Sequence, residues 1–455
     1  MDKPRKSFDL VFRRVSCAAH DLACRPGCVI GGFFRGKSKQ CVIIIALNKI
    51  NMNKANLFYW SLYDFANSFV FINFLLYFSQ WLVIDGGLSD FWYNAIFVIS
   101  SVLLILTAPI LASFTDKFGG RKYFLKFSTF GVLIGYALAT LFAYLNFPMF
   151  IIVLCFFFGQ YFYQLSFCFH NPLIEDVADE GHRSRASGIC QFANALGQLS
   201  GLILALAFST SRLSPLFPSI IVFFILSLPI LFWFKESKQK EEKLSLNFVK
   251  NESENFVKKF IVFFSISASI PLLVAFFFFN DALITLSNNY SIYMERVFML
   301  DDSVKNYILM LILVMSAIGG LVFGKISDKI GTKKSLKIIL MSWVILLPLF
   351  ALLKSLTAFI IICIFLGLFM GGIWTVTRAY LSLSLEKENY AYGFSFYTLF
   401  ERFATFLGPL TWGTYISVAG TDPIDYRTAV LLITIYVIIG LLVFHFWKRE
   451  KSRAL

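Results

Sequence analysis

"ASFTDKFGGRK" occupies residues 112–122 and "GKISDKIGTKK" residues 324–334. Each runs from a small residue through three others to Asp and Lys, then a spacer, a glycine and a closing basic pair. Asp116 and Asp328 lie 212 positions apart. A basic turn between apolar runs is commonplace once; two copies at corresponding positions divide the chain into two homologous halves. Ala112 and Gly324 permit close helix approach, and Gly119 and Gly331 allow a tight turn. The carboxylate can bind a neighbouring helix start or a cation. Such a loop can latch two halves together at one face of the molecule and release them when they rock apart. The residues expected to serve this gate are Asp116, Lys117, Gly119, Arg121 and Lys122 in the first copy, and Asp328, Lys329, Gly331 and Lys333 in the second.

What surrounds these loops is built for lipid. The 455 residues are 58% hydrophobic and 18% aromatic, and only 15% are charged. That composition excludes a soluble globule of this size and indicates a polytopic, all-α membrane protein. A helix needs about 20 mostly apolar residues to cross a bilayer, and twelve runs of that kind are present. They lie near 57–84, 92–114, 123–145, 148–172, 187–209, 216–234, 260–285, 304–324, 335–353, 356–380, 393–418 and 428–447. The only long polar stretch between spans, residues 235–259, parts them six and six. The aromatic load is expected mostly at the lipid face and in interfacial belts.

Lysine and arginine sort sharply between the loops. One set holds Lys117, Arg121, Lys122, Arg183, Arg185, the linker lysines, Lys325, Lys329, Lys333, Lys334, Lys337, Arg378 and Lys387, and the basic end of the chain. The other has only Arg212, Arg296, Lys305, Lys354 and Arg427. Because cytoplasmic loops retain positive charge, both termini and the linker are expected in the cytoplasm, with the spans in the inner or plasma membrane. The net charge of +14 then reports topology and not nucleic-acid binding. Residues 1–51 contribute ten basic residues against Asp2, Asp9 and Asp21 and carry no apolar run long enough to span. They read as a disordered basic tail, or as a misassigned start ahead of Met52. The domain reading is therefore a tail (1–51), a first bundle (52–234), a linker (235–259), a second bundle (260–447) and a short tail (448–455). Cys17, Cys24, Cys28 and Cys41 with His20 fit no standard zinc spacing, so no metal is expected. Cys155, Cys168, Cys190 and Cys363 lie in spans and read as small packing residues.

Polar groups inside the spans mark the candidate site. In "LFYWSLYDFANSFVF" (57–71), Ser61, Asp64, Asn67 and Ser68 fall on one helix face. A carboxylate facing lipid is costly, so the stripe should face the bundle interior or a wet cavity. Three roles stand for Asp64: a hydrogen-bonded structural group, a carboxylate for a cationic or amino group, and a proton carrier. In the seventh span Asn280 and Asp281 repeat the acid-and-amide pairing. Asp281 is expected toward the outer end of its span, either as a functional group or as the cap of an interrupted helix. Glu401 and Arg402 in the eleventh span point about 100° apart, so each needs its own partner; Arg402 could pair with Asp64 or Asp281, or bind a carboxylate. Arg378 reads as a topology or gating residue, and Gly367, Gly371 and Gly372 as a close-packing or bending element. His170 ends the fourth span without an evident catalytic partner, which argues against an intramembrane enzyme. No phosphate-binding loop is present, so ATP does not drive the protein directly, and no cofactor is expected.

The paired loops resemble the signature loop of the major facilitator superfamily. Ala112 stands where that pattern has glycine, Gly120 is an extra residue, and Thr332 replaces the usual arginine. "LYDFANSFV" and "GLFMGGIWTVTRAYLSLSL" with "YGFSFYTLFERFATFLGPLTWG" are similar to the branch holding the fungal vacuolar amino-acid effluxers and their bacterial relatives. The resemblance implies twelve helices in two pseudo-symmetric six-helix bundles and alternating access around a central site. It implies a monomeric carrier of small solutes, amino acids leading, with proton coupling as an option; direction is set by gradients as much as by structure. A sensor or scaffold on the same fold is the alternative.

Overall fold

The computed structural model describes residues 53–118, 120–179, 183–208, 210–236, 270–384, 397, 400–401 and 403–446, apart from the side chains of 109, 110, 112–114, 116–118, 183–185 and 382. The tail, most of the linker, Gly119 and Arg402 lie outside them. Among the described residues twelve helices of 13 residues or more follow in order: α1 (Lys54–Asn73), α2 (Asp90–Phe118), α3 (Arg121–Tyr144), α4 (Met149–His170), α5 (Arg183–Ala207), α6 (Leu216–Trp233), α7 (Ile270–Phe298), α8 (Asp302–Ile330), α9 (Thr332–Leu352), α10 (Leu356–Ser384), α11 (Leu407–Ala419) and α12 (Pro423–Phe446). α1 continues through two wide turns, Phe74–Phe78 and Trp81–Asp85, so its apolar run reaches Asp85. Eleven of these segments are long and apolar enough to cross a membrane, and α11, at 13 residues, is the exception.

The pairing of helices repeats after six. In the first half α1 packs on α5 and α6, α2 on α4, and α3 on α4 and α6; in the second, α7 packs on α11 and α12, α8 on α10, and α9 on α10 and α12. Each list maps onto the other by adding six to every number. The seam between halves obeys the same rule, because the α2–α11 crossing has α5–α8 as its mate. Two six-helix bundles related by pseudo-symmetry are thus present in the contacts themselves.

Close approach explains the glycine-rich stretch of α10. A Cβ on Gly371 would lie 1.8 Å from the Ser316 carbonyl oxygen of α8, so these helices pack backbone to backbone, as small residues allow. At the paired loops, Gly331 turns the chain with φ +89° and Gly120 with φ +81°. The glycine that looks like an insertion in the first copy therefore makes its turn.

Three span boundaries differ from expectation, and the simplest is the eighth, expected to end at 324, whose helix α8 continues to Ile330. The seventh span was read as 260–285, but α7 runs on to Phe298. Its outer half carries Asn288, Asn289 and Ser291, which lower the hydropathy yet are buried against other helices. Asp281 consequently lies near the middle of α7 and not at its outer end. The eleventh span, read as 393–418, is broken: the chain leaves helical geometry at Ala404–Phe406 before α11 begins at Leu407. The aromatic residues also divide differently. Phe127, Phe150, Phe192 and Phe232 are exposed, but Tyr63, Tyr77, Tyr93, Tyr136, Tyr293 and Tyr426 are fully buried. Their hydroxyls find partners there, for example Tyr63 with Thr129 (2.8 Å) and Tyr136 with Gln160 (3.0 Å), as buried tyrosines require.

Candidate functional site

The stripe on α1 points inward, with Ser61, Asp64, Asn67 and Ser68 all buried. Asp64 accepts hydrogen bonds from Asn194 Nδ2 and Cys190 Sγ, each at 3.1 Å. Gln198 Nε2 in turn donates to Asn194 Oδ1 at 2.8 Å. Cys190, Asn194 and Gln198 form an i, i+4, i+8 ladder on α5 that the sequence reading overlooked. Cys190 was taken as a packing residue and is instead a donor to the carboxylate. The helical spacing of three polar groups was the available signal.

Across the seam stands Arg378 of α10. It lies within electrostatic reach of Asp64, Tyr397 and Glu401 but makes no ion pair with Asp64 within 4.0 Å. Arg378, expected as a topology or gating residue, is half-buried and lies before the end of α10, which runs on to Ser384. The pairing expected of Arg402 falls outside the described residues.

Asp281 has a different environment. Its Oδ1 accepts from the Phe406 N–H at 3.1 Å and its Oδ2 from the Gly408 N–H at 2.5 Å. The carboxylate thus caps the free amides at the N-terminus of α11, where the negative charge also meets the positive end of the helix dipole. Neighbouring Asn280 accepts from Trp374 Nε1 at 3.4 Å. At the α2–α11 crossing Ser101 pairs with Thr405 at 2.5 Å.

The gating loops behave unequally. Arg121 donates to Glu175 (2.9 Å) and to the Pro172 carbonyl (3.3 Å). Glu236 accepts from the backbone N–H groups of Arg121 and Lys122, while Lys122 Nζ donates to the Phe232 and Phe234 carbonyls at the end of α6. These bonds lie within the first bundle, Arg121 reaching the end of α4 and Lys122 tying α3 to the end of α6. In the second copy Asp328, Lys329 and Lys333 are exposed. The side chains of Asp116 and Lys117, like the whole of Gly119, are outside the described set.

The halves are joined at the opposite end, where lysine and arginine are sparse. Arg212, in the turn between α5 and α6, donates to Asp85 (2.8 Å), Glu295 (2.8 Å) and Asp302 (3.1 Å). Burial alone would pull the guanidinium down, but the carboxylates of Asp302 and Glu295 outweigh it and hold Arg212 above its ordinary value. Lys305, fully buried, meets Glu295, Asp302 and Gln80. Beneath this clasp Asn94 and Asn289 exchange reciprocal amide bonds of 3.0 and 2.9 Å. Tyr93 donates to the Asn288 carbonyl at 2.7 Å, Tyr426 to Asp90 at 2.8 Å, and Asn306 to Tyr77 at 2.9 Å. A cavity of about 410 Å³ opens beside the clasp, lined by Tyr77, Asp85, Arg212 and Asp302 among others.

His170 is explained without chemistry. Its Nε2 bonds the Trp60 carbonyl at 2.9 Å, Trp60 Nε1 donates to the His170 carbonyl at 2.8 Å, and the rings stack. The pair clasps α1 to α4. Among the described residues no group of three His, Cys, Asp or Glu side chains could hold a metal ion.

The sequence pattern of the Major Facilitator Superfamily matches the chain twice, over residues 61–286 and 260–455, one match for each bundle. The chain belongs to the Major Facilitator Superfamily, and it is a multi-pass membrane carrier and not an enzyme. It is 23% identical over 422 residues to "Uncharacterized MFS-type transporter YxiO" of Bacillus subtilis, covering 86% of this chain and 95% of that protein. A protein of Aquifex aeolicus is also 23% identical, covering 77% and 86%. Among solved structures, the nucleoside transporter NupG superposes with TM-score 0.65 at 14% identity, covering 88% of this chain and 100% of the other. A bacterial homologue of the human lysosomal transporter Spinster, inward-facing and unoccupied, superposes with TM-score 0.62 at 15% identity, covering 90% and 97%. At these identities the structures establish the fold alone.

Proposed function

We propose that this carrier moves small zwitterionic solutes, amino acids the leading class, by alternating access between its two bundles, as a monomer with its lysine-rich end in the cytoplasm. The observation that carries the reading is the juxtaposition of Asp64 and Arg378: opposite charges from opposite bundles, within electrostatic reach but without an ion pair. A zwitterion placed between them would offer its ammonium to Asp64 and its carboxylate to Arg378. Such a ligand binds better when the bundles approach, and that difference between states is what allows a ligand to shift a conformational equilibrium. Asn194 and Gln198 supply further polar contacts on one side, Tyr397 and Glu401 on the other. In this reading Asp281 holds α11 in place, with Asn280 beside it, and coupling to protons would use Asp64.

The test is uptake of a mixed amino-acid pool into proteoliposomes, with and without an inward proton gradient, beside Asp64→Asn and Arg378→Gln. Each substitution is expected to lower uptake by about tenfold or more, the loss of roughly one charge-assisted contact. Uptake unchanged in both variants would move the site elsewhere. If no amino acid is taken up, the substrate class is wrong. The scaffold reading gains only if, in addition, a cysteine placed at Asn194 resists thiol reagents from both sides.

A further inference from the structure

The two signature loops have parted company at their lipid-facing positions. On α8, Ile318, Val322, Lys325 and Lys329 share one exposed face; on α9, Lys334, Ile338, Met341 and Ile345 share another. Both stripes are apolar inside the membrane and end in lysine, at the depth where a helix leaves hydrocarbon for headgroups. Aligning the copies through their glycines, with Gly120 as the extra residue, sets Ser113 against Lys325 and Tyr123 against Lys334. Tyr123 is itself 71% exposed above its own lipid-facing stripe of Phe127, Phe130 and Ile134, so the comparison is between a tyrosine and a lysine in one position. Lys122, the counterpart of Lys333, is bound to the α6 carbonyls, whereas Lys333 is exposed. Lys325, Lys329, Lys333 and Lys334 make no ion pair or side-chain hydrogen bond with another described residue. A topology signal would be met by the shared lysines alone; it gives no reason for the additional pair at the ends of lipid-facing stripes.

We infer that the α8–α9 loop is a docking point for the phosphate headgroup of an anionic phospholipid, and that the α2–α3 loop is not. The phosphodiester would sit among Lys325, Lys329, Lys333 and Lys334 while its acyl chains lie along the Ile318–Val322 and Ile338–Met341 stripes. Unlike a soluble phosphate, a lipid meets both the charge and the apolar face.

The full chain in phosphatidylcholine vesicles, probed with spin-labelled phosphatidylglycerol and spin-labelled phosphatidylcholine, tests this directly. The motionally restricted population is expected to favour phosphatidylglycerol by about fivefold or more, the preference that one lysine near an anionic surface supports. Lys325→Ser with Lys334→Tyr, which copies the residues the first loop already carries, should reduce the preference most of the way to none. Lys122→Gln should leave it unchanged. Equal restriction of the two lipids in the parent chain overturns the proposal, and so does a preference that survives the double substitution. Displacement of the labelled lipid by soluble glycerol phosphate, at concentrations too low to screen charge, would make the occupant a free phosphate ester and overturn the lipid assignment.

Discussion

Asp64 and Asp281 occupy symmetry-related helices, each beside an amide-bearing neighbour, and the structure treats them in opposite ways. Asp64 is held by side chains, Asn194 and Cys190, from a helix of its own bundle. Asp281 is held by backbone, through the Phe406 and Gly408 amides that begin α11. Side-chain partners can rotate away and be replaced by a ligand or water; helix-terminal amides cannot leave without unwinding the helix. Each half thus carries a buried acid on its first helix, one held by backbone amides as a clamp and the other by side chains alone.

That contrast is open to direct attack. Asp281→Ala should have the largest effect, because two helix-start amides, one buried and one partly so, lose their acceptor at about 1 to 3 kcal/mol for the buried one; the thermal midpoint in detergent should fall steeply, with Asp281→Asn intermediate. A midpoint equal to that of the parent would remove the clamp. Next comes Gly371→Leu, which forces a side chain into the α8 backbone and should cost about 1 to 3 kcal/mol or more, read in the same melt. Arg212→Ala should leave the melt closer to the parent yet raise labelling of an Asn288→Cys probe by a membrane-impermeant maleimide by about three- to tenfold, since the clasp then loses its bridge to Asp85. Unaltered labelling would mean that the deeper amide and tyrosine contacts close this end unaided. The smallest stability change belongs to Asp64→Asn, about 1 kcal/mol, because the amide oxygen keeps one of the two donors, Asn194 or Cys190, and the other is a side chain that can turn away. Its signature is lost uptake in a protein that melts normally, and a melt as damaged as that of Asp281→Ala would erase the distinction between the two acids.

Hydropathy and the loop repeat were enough to give the helix count, the two halves and the inward stripe around Asp64, because lipid imposes a simple rule on every span. Hydropathy failed where protein replaces lipid as the solvent. The outer half of α7 reads as too polar to span, yet Asn288, Asn289 and Ser291 face other helices. The clasp was equally hidden, since Arg212 and Lys305 are only sparse loop charges until folding brings Asp85, Glu295 and Asp302 around them. The electrostatic reach between Asp64 and Arg378 joins residues more than three hundred positions apart. No local pattern records such a pair, and the i, i+4, i+8 ladder of α5 was its one legible trace.

The Asn94–Asn289 pair has a consequence of its own. Each amide gives one hydrogen and takes one, so the contact closes on itself, carries no charge and binds no proton. Parting it moves nothing through the transmembrane voltage and leaves two groups that water can satisfy equally well. This pair is therefore deaf to voltage and acidity, and any response of that end to either must come from its charged groups, the clasp above or the Asp90 carboxyl that Tyr426 bonds beside it.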